Sequence, residues 1–150
     1  MKSRSENSPD EVIDALLSAN RVLVAVAARS LSDIADEVTL AQYRTLVVLA
    51  SRGPQNLAGL ADAIGVTPAT ATRMCDRLAR NKLILRRAKR SDRRQVRLAL
   101  SAKGVTLVST VTQHRQCELE EILRTISNED RAVLVQALNR FAAAASEVPE

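Results

Sequence analysis

The chain has 150 residues, with 22 Lys or Arg against 17 Asp or Glu and a net charge of +5. That length bounds it to one domain or one domain with extensions. Apolar residues make up 46%, enough for a core, but only Tyr43 and Phe141 are aromatic, so the core must be built from Leu, Val, Ile and Ala, with abundant Ala favouring helix.

In chain order, Pro9 and Asp10 open a first helix expected over 10–35. Its apolar positions, among them Val12, Ile13, Leu16, Leu17, Leu23, Val24, Leu31 and Ile34, cover more than one narrow stripe, and a helix apolar on two sides is usually packed on two sides. Either a central helix of a monomer or a helix covered by a second protomer satisfies that pattern. Thr39-Leu40-Ala41-Gln42 is a capping box that starts a second helix, and Gly53-Pro54 stops it. Asn56 caps a short third helix with Leu57, Leu60, Ala61 and Ile64 inside, and Gly65 ends it.

Thr67 and Pro68 then suit the cap and first position of a fourth helix. Ala71, Met74, Cys75 and Leu78 recur at helical spacing and define a buried face. Thr70, Thr72, Arg73, Arg77 and Arg80 fall largely off that face. Asn81, which tolerates a left-handed cap, is expected to end the helix. Two strands follow, Leu83 to Ala88 and Gln95 to Leu100, with Lys89-Arg90-Ser91-Asp92-Arg93-Arg94 as a polar hairpin tip. A fifth helix is expected from Ser101 to about Thr125. A sixth is capped by Ser127, with Val133, Leu134, Ala137, Leu138, Phe141 and Ala145 as its apolar stripe.

Short helix, Gly-containing turn and amphipathic second helix form a helix-turn-helix pattern. Residues 67–104 carry twelve Lys or Arg against two Asp, a net of +10, so the rest of the chain is −5. A strongly basic block inside an otherwise acidic chain is the footprint of a polyanion-binding surface. The major groove, about 12 Å wide, admits one helix, and the first helix of such a pair braces the second for entry.

Other chemistries lack their residues. The chain has one His, no Gly-rich phosphate loop, no HExxH and no nucleophile elbow, so no enzyme and no cofactor are expected. Cys75 and Cys117 have no CxxC spacing and no adjacent His, which argues against a metal site. No apolar run approaches the roughly 18 residues of a membrane span, and the N-terminal stretch lacks a signal-peptide core. A cytoplasmic location without membrane association is expected.

Taken together, the helix-turn-helix LAGLADAIGVTPATATRMCDRLARNKLI, the tip and strand RSDRRQVRLALSAKG and the flanking helices resemble the MarR family of bacterial transcription regulators over about Asp10 to Ala145. The Asp-x-Arg of Asp92 and Arg94, followed by a strand and the Ser-x-x-Gly of Ser101 and Gly104, is the more specific part. The resemblance implies a mainly α fold: a winged helix-turn-helix with a small antiparallel β-hairpin wing and long N- and C-terminal dimerisation helices. It implies a single domain over 1–150, with 39–100 as the DNA-binding lobe and 10–35 and 101–147 as dimerisation helices. It further implies a homodimeric, sequence-specific repressor of a pseudo-palindromic operator, released by a small aromatic or amphipathic acid. A nonspecific or architectural DNA-binding protein and a redox-responsive regulator using Cys117 are the alternatives.

Carried onto this chain, the resemblance implies DNA contacts from Pro68, Ala69, Thr70, Thr72, Arg73 and Arg77 on the recognition helix. The wing is expected to supply Arg90, Arg93 and Arg94, with Arg94 entering the minor groove and Asp92 orienting it. For Arg86, Arg87 and Lys89, phosphate contact and a solvated strand edge both stand. Tyr43, Arg44, His114 and Arg115 are the candidate ligand-cleft residues. Cys75 reads as core packing.

Overall fold

The structure, a computed structural model, describes residues 8–89 and 92–147, the side chains of residues 89, 92–94, 146 and 147 excepted. The helices are α1 (Pro9–Ile34), α2 (Leu40–Arg52), α3 (Leu57–Ile64), α4 (Pro68–Arg80), α5 (Ala102–Leu123) and α6 (Asn128–Glu147), with strands β1 (Ile84–Lys89) and β2 (Asp92–Leu100) between α4 and α5. Two compact units result, Met1–Arg115 and Gln116–Glu150. Residues 102–115 of α5 belong to the first and 116–123 to the second.

Local chemistry sets the helix boundaries. Ser8 caps α1 in a capping box with Glu11, and Pro9 takes the first helical position, one residue before the expected start. Thr39 and Gln42 form the expected box at α2. Gly53 (φ +76°) and Gly65 (φ +70°) occupy conformations that favour glycine, at the ends of α2 and α3. Asn81 ends α4 as expected, but not in a left-handed conformation. Asn81 has φ −78° and the left-handed residue is Lys82, at φ +59°.

The wing is a two-stranded antiparallel hairpin running from the pair Ile84–Leu100 to Ala88–Val96. A bulge between Ala88 and Lys89 brings Lys89 opposite Asp92. β2 therefore begins three residues before the expected Gln95, because the bulge continues pairing into the polar segment. Gln55 adds a bridge to Leu98, with bonds of 2.9 and 2.7 Å, that ties the α2–α3 loop to the sheet.

The core of the first unit is aliphatic, as composition requires. Leu46, Leu60, Leu78, Leu83, Val26 and Val111 are fully buried, from α2, α3, α4, the wing base, α1 and α5 respectively. Each such side chain contributes about 1.5–3 kcal/mol relative to exposure. Only the C-terminal part of α1 enters this core, through Val26, Ala27, Ser30 and Leu31. Its remaining apolar positions, Val12, Ile13, Leu17, Val22, Leu23 and Val24, are exposed.

In the second unit, Ser127 caps α6 by accepting the Asp130 N–H at 3.1 Å. Arg131 donates from Nε to the Leu123 carbonyl at 3.0 Å, closing the turn between α5 and α6. No residue of α6 whose burial is described is buried, and Val133, Leu134, Val135, Leu138 and Phe141 are all exposed.

Candidate functional site

The fourth helix separates its faces as its sequence dictates. Ala71, Cys75 and Leu78 are buried and Met74 half-buried against α3 and the core, while Pro68, Ala69, Thr72, Arg73, Arg77 and Arg80 are exposed. Thr67 fixes the start: its hydroxyl accepts the Thr70 N–H at 3.2 Å and lies 3.0 Å from the Thr70 hydroxyl. Thr72 donates to the Pro68 carbonyl at 2.9 Å, so its oxygen faces solvent as an acceptor. The exposed face thus offers guanidinium donors and a hydroxyl acceptor on a helix whose other face is anchored. Such a face can pair with base edges and phosphates.

Arg86, a candidate contact in the wing, is placed differently. Its guanidinium forms an ion pair and hydrogen bond with Asp76 on α4, joining β1 to the recognition helix. Asp76 was not singled out from the sequence. Its signal was present, since it is one of only two acids among the twelve cations of residues 67–104. Arg87 and Arg97 are exposed and, with Arg73, Arg77 and Arg80, form no side-chain hydrogen bond or ion pair among the described residues. Arg90 lies outside the described residues. Asp92, Arg93 and Arg94 lie on β2, but the expected pairing of Asp92 with Arg94 concerns side chains outside those described.

Cys75 is 1% exposed beneath this face. Burial pushes its thiol above the ordinary range; Arg86 opposes the shift and Asp76 adds to it. A buried neutral thiol is a packing residue. Cys117 is exposed on α5.

A cavity of about 490 Å³ opens between α1, α2 and α5 within the first unit. Tyr43, Arg44 and Arg115 come together on its wall, with Asn20 as a further polar group. Leu23, Val24, Ala27, Leu40, Ala41 and Val47 supply the apolar lining. The Tyr43 hydroxyl and Arg115 Nε are buried and have no hydrogen-bond partner among the described residues. His114 does not line the cavity. Its Nδ1 lies 3.2 Å from the Ser30 hydroxyl and its Nε2 3.9 Å from Asp33, so it joins α5 to α1. The α1 lining was missed from sequence because Leu23 and Val24 read only as part of a broad apolar surface and Ala27 was not singled out.

Among the described residues, no group of His, Cys, Asp and Glu is arranged to hold a metal ion. No helix among them is long and apolar enough to cross a membrane.

Comparison with known proteins agrees with this geometry. The model of the MarR family matches residues 38–96, spanning α2 to the second wing strand. The chain is 31% identical over 112 residues to the uncharacterized helix-turn-helix-type transcriptional regulator ML2140 of Mycobacterium leprae, covering 75% of this chain and 78% of that one. It is 25% identical over 99 residues to the regulator MhqR of Bacillus subtilis, covering 66% and 68%. The crystal structure of RV1404 from Mycobacterium tuberculosis superimposes with a TM-score of 0.86 at 41% identity, covering 97% of this chain and 99% of that one. With a winged helix-turn-helix on mainly helical scaffolding, and relatives of that identity and coverage, the chain belongs to the MarR family of DNA-binding transcriptional regulators.

Proposed function

We propose that the chain is a sequence-specific, homodimeric repressor of a pseudo-palindromic operator, released by a small amphipathic acid. The observation that carries the reading is the exposed face of α4: Arg73 and Arg77 form no side-chain hydrogen bond or ion pair among the described residues, Thr72 keeps an acceptor toward solvent, and the opposite face of the helix is anchored in the core beside a basic wing. Arg73, one turn after the capped start, is the candidate for bidentate pairing with guanine. Pro68, Ala69 and Thr70 line the approach. Arg90, Arg93 and Arg94 with Asp92 are proposed to follow the minor groove or the phosphates beside it. Residues 39–100 are the proposed DNA-binding lobe.

Dimerisation through 10–35 and 101–147 is supported by large apolar side chains that are exposed among the described residues, including Leu17 and Leu23 on α1 and Leu138 and Phe141 on α6. Each is already about half buried, so covering the rest with a second copy contributes about 1 kcal/mol per side chain. A two-fold dimer then repeats its contacts about one helical turn apart, hence the palindromic operator.

The ligand reading rests on the cavity, whose mixture of aliphatic wall, two arginines and an unsatisfied phenol suits an acid with an apolar body. His114 is proposed to act on that site indirectly, through its contacts to α1. Two neighbours that share the fold, at 20% and 22% identity, are a MepR mutant of S. aureus bound to an oligodeoxyribonucleotide and NadR in complex with 4-hydroxyphenylacetate.

The test is selection from a random-sequence duplex pool by the full chain, followed by measurement of the enriched duplex and a scrambled one at fixed salt. Enrichment of a two-fold sequence with a large affinity ratio is the expected result. Equal affinity for both duplexes would establish a nonspecific binder instead.

A further inference from the structure

We propose that the turn Ser101–Gly104 is a positioning joint. It locks the C-terminal end of the recognition helix onto α5 and so sets the angle at which α4 meets DNA. The inference rests on the reading of α4 as recognition helix and goes beyond it, to residues that touch no DNA.

Three consecutive carbonyls follow α4, and the start of α5 takes all three. The Asn81 carbonyl accepts from Lys103 Nζ at 3.1 Å. The Lys82 carbonyl accepts from the Ser101 hydroxyl at 2.6 Å. The Leu83 carbonyl accepts from the Ser101 N–H at 3.0 Å. The same Ser101 oxygen accepts the Gly104 N–H at 3.0 Å, so one hydroxyl caps α5 and holds the end of α4.

Two further features show that this contact governs the local backbone. Lys82, at φ +59°, is the only non-glycine residue with positive φ among those described. That conformation, which side chains rarely adopt, lies in the three-residue segment whose carbonyls α5 takes. Gly104 meets the same segment without a side chain: a Cβ built there would overlap the Leu83 carbonyl oxygen and lie 3.2 Å from Leu100 Cδ2. Only glycine lets α5 come this close.

The wing hairpin alone would leave α4 and α5 joined through a twisting ribbon. The joint closes the base of that ribbon, so the end of α4 must follow α5. Ser101 is 8% exposed, and the two hydrogen bonds of its hydroxyl go to the Lys82 carbonyl and the Gly104 N–H. Eleven residues beyond Gly104, about 16 Å at 1.5 Å per residue, α5 reaches the cavity at Arg115.

The experiment uses the full chain, the duplex it enriches from a random pool and a scrambled duplex of equal composition. Ser101→Ala removes the bond to Lys82 and the cap. The affinity for the enriched duplex is expected to fall about tenfold, as for the loss of one or two hydrogen bonds. The scrambled duplex should change less than about twofold, with an unaltered salt slope because no phosphate contact is lost. Ser101→Thr, which keeps the hydroxyl, should restore the ratio. A merely structural role lowers the active fraction and weakens both duplexes by one factor, a result that overturns the proposal. Lys103→Met serves where Ser101→Ala fails to fold. A reduced ratio at constant slope supports the joint, whereas equal weakening with a slope smaller by about one unit makes Lys103 a phosphate clamp and overturns it. An enriched duplex bound equally by wild type and Ser101→Ala sinks the joint alone. Failure of the wild type to enrich any duplex removes the functional reading, and the joint's role with it.

Discussion

Replacing Tyr43 with Phe separates a ligand-binding phenol from a structural one, because the two roles give opposite signs. Tyr43 is 3% exposed, and its hydroxyl has no partner among the described residues. A buried polar group left unpaired costs roughly 1–3 kcal/mol. Removing it while keeping the ring leaves the packing against the core intact. Tyr43→Phe should therefore stabilise the ligand-free protein by about 1 kcal/mol, which for a chain of this size raises Tm by roughly 2–4 °C. The assay is thermal unfolding followed by circular dichroism, with protomer concentration held constant because dimerisation makes Tm concentration-dependent. A bound acid that reaches the phenol should lose about 0.5–1.5 kcal/mol of affinity in the variant, a factor of about 2–12. Titration of both proteins with an aromatic or amphipathic acid that the wild type binds measures that factor. A Tm lowered by more than about 2 °C would refute the reasoning, since the hydroxyl must then be bonded in the free protein.

Arg73→Ala is expected to cost roughly 1–3 kcal/mol on the enriched duplex and little on the scrambled one, whereas Arg94→Ala should weaken both and reduce the salt slope by about one unit. A salt titration of each variant checks both, and equal weakening by Arg73→Ala would make it a phosphate contact. Asp76→Asn breaks the brace to Arg86 and removes an acid beside α4, so affinity for the scrambled duplex should rise while affinity for the enriched one falls; the same titration shows whether both move together, which would reduce Asp76 to a surface charge. Leu138→Glu combined with Phe141→Glu should shift sedimentation of the full chain toward monomer at micromolar concentration, and an unchanged dimer would place the interface elsewhere. Alkylation of the native protein should label Cys117 and spare Cys75, whose thiol burial holds neutral, and Cys117→Ser should leave any response of DNA binding to peroxide unaltered.

The parts of the fold legible from sequence were those written in local chemistry. Thr39 with Gln42, Gly53, Gly65 and Thr67 with Pro68 each mark a boundary by a hydrogen bond or a backbone angle that few residues supply. The two faces of α4 were legible for the same reason, since helical spacing alone sorts Ala71, Cys75 and Leu78 from Thr72, Arg73 and Arg77. What escaped was set by distant partners. The left-handed turn fell on Lys82 rather than Asn81, beside carbonyls taken by a segment some twenty residues away. Arg86 looked like one more cation of a basic block until Asp76, ten positions earlier, took its guanidinium. The cavity drew its wall from α1 residues whose apolar character already had a sufficient explanation in dimerisation.

The same long-range contacts bear on how a ligand would release DNA. Within the first unit, α5 carries the joint to α4 at Ser101, the contact of His114 with Ser30 and the cavity residue Arg115. A ligand shifts a conformational equilibrium only by its difference in affinity for the two states. A tenfold loss of DNA affinity therefore requires about 1.4 kcal/mol of such difference, which a single charge-assisted hydrogen bond supplies. Arg115 Nε, buried and without a hydrogen-bond partner among the described residues, is a donor that such a bond could use if it formed in only one of the two states. Arg44, on α2, belongs to an element fixed in the core through Leu46 and Leu49. An acid bridging the two arginines would pull a helix tied to α4 against one that cannot follow. Affinity alone is then a poor guide to release: an acid held mainly by Arg44 and the aliphatic wall binds both states alike, however tightly, and leaves the protein on its DNA.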